Sequence, residues 1–325
     1  MTLETDAMSD LPPAATATAP KATRPLFWSV RRELWENRSL YFAPATVSAV
    51  MLIAMVIGVG RILAAHPDLS RHDAPTPAML ALPYDFAAVA IMLTSFIVAI
   101  FYCLGALHNE RRDRSILFWK SLPVSDTATV VSKVIAAVVI APLIAAVVTL
   151  AGYIGAQIIM SVWFLAHGVN PFSLLWAHIE PFSLWLHLLA MVPVNAVWAL
   201  PTVGWLLVWS AAVRSKPFLW AVVIPILAGV LNFWVGLLGL PNIDTRFFWG
   251  DLVGRALLSI VPAGWIAPNS VGMHGVDFVN GDQLAAISYS SMAHAFTLPD
   301  MWIGAVVGIA LIAAAIWFRR WRDEA

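Results

Sequence analysis

The chain has a single cysteine, Cys103, so no internal disulfide can form. Charge is scarce too: Asp, Glu, Lys and Arg make up 12% of the residues, all of them outside the apolar stretches or at their ends. Proton- and ion-driven pumps place titratable groups at mid-membrane, and secondary transporters commonly carry inverted repeats. Neither feature is found here. None of Lys21, Lys120, Lys133 and Lys216 stands in a G-x-x-x-x-G-K-[ST] loop, so the chain has no phosphate-cradling motif for ATP. It also lacks an H-E-x-x-H helix, a G-x-S-x-G elbow and an acidic pair within an apolar stretch, which argues against an embedded hydrolase. His66, His72, His167, His178, His274 and His294 fall in or near loops without zinc-type spacing. His187 is the one histidine well inside an apolar stretch, too few for haem ligands at matched depths. We therefore expect no metal or cofactor in this chain, and nothing in it points to nucleic acid.

What the chain has is apolar length. Hydrophobic residues make up 60% of it and mean hydropathy is +0.80, outside the range of soluble domains. A bilayer core about 30 Å thick needs roughly 20 apolar residues per helix. Six stretches qualify: 41–64, 84–107, 131–165, 183–213, 217–240 and 301–318. The expected fold is an all-α polytopic membrane protein with six transmembrane helices. A further apolar piece, 247–266, carries Asp251 and Arg255 at its middle and is read as amphipathic or re-entrant, because ionised groups at mid-membrane are costly. Their spacing of four suits a helix-face ion pair.

Basic residues near span ends are retained on the cytoplasmic side. With the N-terminus inside, fifteen Lys and Arg fall on inner segments and four (Arg61, Arg71, Arg246, Arg255) on outer ones. Both termini are thus expected in the cytoplasm, with the protein integral to a bacterial inner (plasma) membrane. Residues 1–24, rich in Ala, Thr and Pro, read as a disordered cytoplasmic tail and not as a signal peptide. Residues 25–40 read as a helix lying in the inner interface, with Phe27, Val30, Leu34 and Trp35 on one face and Arg31, Arg32, Glu33 and Glu36 elsewhere. Residues 321–325 form a short inner tail.

The densest charge lies between the second and third stretches, in loop 108–130. Glu110, Arg111, Arg112, Asp113 and Arg114 precede Ile116, Leu117, Phe118 and Trp119, then the breaker Leu122-Pro123-Val124-Ser125, with Lys133 entering the next helix. Apolar anchors beside charges suit a docking element; a positive-inside loop with aromatics in the headgroups is the plainer reading.

With the interfacial helix FWSVRRELWENRSLYF and the six-span layout, this loop resembles permease subunits of ATP-binding cassette (ABC) transporters of the type-2 export class. The resemblance covers most of the chain. It implies that residues around Arg112 to Pro123 form a coupling helix seated in a separate ATPase. Two copies of that ATPase, holding ATP and Mg, would serve a pair of permeases, either two of this chain or this chain and a paralogue, embedded in membrane lipid. It further implies that outer segment 241–300 caps the exit through short re-entrant helices, 247–266 and 284–296. The first and fifth spans would line the permease interface, near Asn232 and Trp234. Among polar and aromatic residues within the spans, Gln157, Asn195, Trp198, Asn232 and Trp234 are the candidate translocation path, with Tyr153 and Thr202 as further members. Interhelical hydrogen bonding is the alternative role for such residues. Pro193 and Pro201 are candidate breaks in the fourth span, and Gly304 and Gly308 form a G-x-x-x-G suited to close packing. A scaffold or sensor subunit that recruits a non-ATPase partner is the alternative function.

Overall fold

The computed structural model describes residues 25–65, 77–115, 124–166, 168, 170–177, 181–262, 264–265 and 289–321. The tail 1–24, loop residues 116–123, the segment 266–288 and residues 322–325 lie outside them, as do His66, His72, His167, His178 and His274. Every regular element among the described residues is helical.

A short helix α1 (Pro25–Glu36) precedes α2 (Ser39–Ala65) and α3 (Pro77–Ala106), which ends in one further turn, α4 (His108–Arg112). The longest helix, α5 (Asp126–Ala166), starts at an N-cap in which Ser125 accepts from the Ala128 N–H at 3.1 Å. It contains a π-helical turn, Ala136–Ile140. After α5 come α6 (Pro181–Trp198), α7 (Leu200–Ala212) and α8 (Leu219–Leu237). A bent helical segment α9 (245–258), a short α10 (Tyr289–Ala295) and the last long helix α11 (Pro299–Trp321) complete the order.

Helices α2, α3, α5, α8 and α11 are each long and apolar enough to cross a membrane. The fourth expected span, 183–213, is a bent pair of helices, long and apolar enough to cross only if the two count as one span: α6 and α7 meet at Ala199 with a bend of 55°. The cause is Pro201, which has no N–H for the Val197 carbonyl and disfavours helical geometry at the residue before it. Intact bonds flank the break, from Ala199 N to the Asn195 carbonyl at 2.8 Å and from Val203 N to the Ala199 carbonyl at 3.0 Å. Pro193 lies inside α6 without ending it.

Large apolar side chains point away from the bundle, among them Ile53 and Ile57 on α2, Leu231 on α8 and Val306 on α11. Where lipid is as apolar as leucine, helices associate through close packing of small residues. The contact between α7 and α11 is of that kind. A Cβ at Gly308 would meet the Leu200 carbonyl carbon at 2.5 Å, and one at Gly204 would meet the Gly308 carbonyl oxygen at 2.7 Å. The G-x-x-x-G therefore works within the chain: Gly308 admits the α7 backbone, and Gly304 admits the Arg255 side chain.

Gly308→Val should lower the apparent unfolding temperature in detergent, because overpacking a close backbone contact costs about 1–3 kcal/mol or more. Gly58→Ala on α2, where a Cβ meets nothing within 4 Å, should leave it unchanged. Size-exclusion profiles after stepwise heating read both.

Candidate coupling site

The ends of loop 108–130 meet in a buried ionic cluster. Glu33 on α1 is fully buried, Lys133 on α5 is 2% exposed and Arg319 on α11 3%. Lys133 Nζ lies 2.9 Å from Glu33 Oε1 and 2.8 Å from Glu110 Oε1. Arg319 bridges from Glu110 Oε2 (2.6 Å) to Asp126 Oδ1 (3.0 Å). Arg32 adds contacts to Glu33 at 2.9 Å and to Glu110 at 3.4 Å, and the Tyr102 hydroxyl donates to Glu33 Oε2 at 2.9 Å. Three carboxylates (Glu33, Glu110, Asp126) face three cations (Arg32, Lys133, Arg319), so the cluster is neutral. That balance is what makes burial tolerable, since an unpaired buried charge is far more costly than a paired one. Glu36 lies at the rim, 3.6 Å from Arg32. Its carboxyl is raised above the usual carboxylate range because burial outweighs the pull of Arg32.

Helix α1 divides its faces between the protein and its surroundings. Ser29 and Glu33 face the protein, while Phe27, Trp28 and Trp35 are exposed. Arg31 lies over both tryptophan rings, 5.3 Å from the Trp28 centroid and 4.9 Å from that of Trp35. A face that reads as headgroup-facing polarity is divided between an outward cation on indoles and an inward carboxylate.

The loop residues separate in the same way. Glu110 is buried in the cluster. Arg111 donates through Nη2 to the carbonyls of Ser210 (2.6 Å) and Val213 (2.9 Å), at the C-terminal end of α7 where unpaired carbonyls attract a cation. The Ser210 hydroxyl accepts from the Leu107 and His108 N–H groups at 3.0 Å each and donates to the Leu104 carbonyl at 2.8 Å, which locks the α3–α4 junction onto α7. Arg112, Asp113 and Arg114 are exposed, and Arg114 has a left-handed φ of 56° where α4 ends. Ile116, Leu117, Phe118, Trp119, Leu122 and Pro123 lie outside the described residues. On the far side, Ser125 caps α5, and Asp126 and Lys133 return to the cluster.

The candidate path residues do not all gather in one place. Gln157 is buried on α5 with Tyr153, whose ring packs on Tyr84 at 5.1 Å. Asn195 lines a small cavity of about 30 Å³ between α3, α5 and α6, with Ser95, Ala141 and Ile260 among its other walls. Asn232 closes a turn: its amide donates to the Ile243 carbonyl at 2.9 Å and accepts from the Ile243 N–H at 3.0 Å. Trp234 is 59% exposed on α8.

Trp198, at the break between α6 and α7, is buried under Arg255, whose guanidinium carbon lies 3.8 Å from the ring centroid. This corrects the expected Asp251–Arg255 pair. Among the described residues no ion pair joins the two, and Arg255 Nη2 instead donates to the Asp300 carbonyl at 2.8 Å. Thr202 fastens α9 there, donating to the Arg255 carbonyl and accepting from the Ser259 N–H, both at 3.0 Å. Among the described residues no group of three or more His, Cys, Asp or Glu is placed to hold a metal ion. His187 stacks on Tyr289 at 4.2 Å, and His294 meets the Thr297 hydroxyl at 3.1 Å.

Residues missed in the sequence are Arg32, Glu33, Tyr102, Asp126 and Arg319, which complete the cluster, and the Ser210 hydroxyl. The available signal was the presence of charged residues just inside the ends of three separate helices, which a positive-inside count treats as surface charge. Compared with known proteins, the chain matches no family model, no curated protein and no solved structure.

Lys133→Met removes the closer and more deeply buried of the two cations that Glu33 and Glu110 share, leaving Arg32, and should destabilise the protein by about 3–5 kcal/mol. Arg112→Gln, at an exposed position, should stay within about 0.5 kcal/mol of wild type. Thermal unfolding of both in one detergent separates a buried network from surface charge.

Proposed function

We propose that the chain is the membrane permease subunit of an ABC exporter of the type-2 class, integral to a bacterial inner membrane, with both termini and loop 108–130 in the cytoplasm. The observation that carries this reading is the anchorage of that loop. Both its ends enter one ionic cluster shared by α1, α4, α5 and α11. A push on residues 116–123 by a separate ATPase would therefore reach four elements together, since packed and ion-paired elements move as units. ATP and Mg belong to that partner, present in two copies, and this chain hydrolyses nothing. Arg112, Asp113 and Arg114 are exposed for charge pairing with it.

The outward face of α8 that carries Trp234 supports a second permease copy, or a paralogue, packed against this one. The path would then lie between the two chains instead of within one, in keeping with the narrow cavity inside the bundle. Cys103 is fully buried, so Trp234→Cys in a Cys103→Ser background offers one reactive thiol. Mild oxidation in membranes should give a covalent dimer at Trp234→Cys. A purely monomeric band would count against a homodimer packed through α8.

The deciding experiment is co-purification of the tagged protein in mild detergent, wild type beside Arg112→Glu with Trp119→Ala, followed by ATPase assay of the eluate. We expect wild type to bring down an ATPase and the double variant, still monodisperse, to lose it. A non-ATPase partner at the same loop would favour the scaffold or sensor reading.

A further inference from the structure

At the end of the bundle opposite the ionic cluster, Arg255 is a cation without a carboxylate. Among the described residues no Asp or Glu oxygen lies within ion-pair distance of it. Asp251 and Asp300 are both exposed, and Asp300 sits in the first turn of α11, where the helix dipole already favours its charge. One guanidinium face is covered by the buried Trp198 indole, and Nη2 is taken by the Asp300 carbonyl. Nη1 is shut away from solvent with no acceptor. Gly304 clears the space: any side chain there would collide with the Arg255 guanidinium. The position is therefore built to hold the guanidinium in place, with Asp300 and Asp251 acting on its charge only from beyond ion-pair distance and one donor left without an acceptor.

A buried donor without an acceptor is costly, more so on a charged group, and calls for an explanation, of which a bound anion is one. Depth indicates which kind. Gly304 and Asp300 lie within the first turns of α11, and Arg319 in the ionic cluster is 15 residues beyond Gly304, about 22 Å along a helix rising 1.5 Å per residue. If the apolar helices cross a bilayer whose core is about 30 Å thick, Arg255 lies toward the headgroups at the end opposite the ionic cluster. An indole-stacked guanidinium with a free N–H is suited to an oxygen anion of phosphate or carboxylate type.

We propose that Arg255, held between Trp198 and Gly304, is an oxyanion-binding site that takes a phosphate group, supplied by an anionic phospholipid headgroup or by a free anion. The proposal rests on the apolar helices crossing a membrane and not on the ATPase reading. A negative co-purification result above would leave it intact.

The test uses the full chain in a neutral detergent and follows unfolding temperature while phosphatidylglycerol, phosphatidylcholine or inorganic phosphate is added separately. Wild type should be stabilised by phosphatidylglycerol more than by phosphatidylcholine. Arg255→Gln should weaken the apparent affinity at least about tenfold, and Arg255→Lys should retain part of it. Arg214→Gln, an exposed arginine at the far end of α7, should respond as wild type. Stabilisation by phosphatidylglycerol alone assigns the site to lipid, and stabilisation by inorganic phosphate assigns it to a free anion. The proposal is overturned if wild type responds to neither anion, a result needing no variant, or if Arg255→Lys and any folded Arg255→Gln respond as wild type does. It is equally overturned if the response disappears in Arg214→Gln.

Discussion

A single ammonium group organises one end of this molecule. Lys133 lies between Glu33 and Glu110, 2.9 and 2.8 Å from their nearer oxygens, and is itself 2% exposed. Its two carboxylates come from helices 77 residues apart in sequence, and of the two only Glu33 has a cation beside it in the chain, Arg32. Each charge is buried only because the others are, and the same condition brings in Arg32, Arg319 and Asp126 to close the balance. From this follow the inward turn of α1, the seating of the last helix beside the first turn of α5, and the two fixed ends of the loop between α4 and α5.

The opposite end is arranged on another basis. Pro201 breaks the fourth span, and the bend leaves room for α9 to return and fasten on Thr202. Glycines bring α11 close enough that backbone meets backbone at Gly308 and the Arg255 side chain passes over Gly304. One end is thus a closed, neutral network. At the other a cation is stacked on an indole and is only partly satisfied. Both depend on charged side chains brought to the protein interior near a helix end, where a long apolar stem can cover apolar surface while its charged head finds partners.

Much of the architecture was legible in the sequence because a bilayer imposes length and apolarity on every crossing helix. The six apolar stretches correspond to five long helices and one bent pair, and the bend lies beside Pro201, one of two prolines singled out. Ser125, the last residue of the Leu-Pro-Val-Ser breaker, caps the helix that follows. The loop's charges were less legible. Glu110 and Arg111 stand in one run with Arg112, Asp113 and Arg114, yet the first two are used inside the protein and the last three are exposed. Helical rotation divides a run of charges according to what lies beside each face, and a linear pattern does not say what that is. The Asp251–Arg255 spacing failed for a related reason: Arg255 has a buried indole and a carbonyl within reach, which outcompete an exposed carboxylate one turn away.

By itself, then, the sequence determined the length and apolar character of the long helices, two candidate positions for a break in the fourth stretch, and the lack of an ATP-binding loop motif. Each of these follows from local chemistry: hydropathy summed over a span, a missing N–H, a motif that needs fixed spacing. Only the tertiary structure decided which charges are buried, which partners neutralise them, and that Arg255 meets Trp198. Those outcomes depend on helices far apart in sequence arriving at the same depth, where the low polarity of the surroundings makes pairing a requirement.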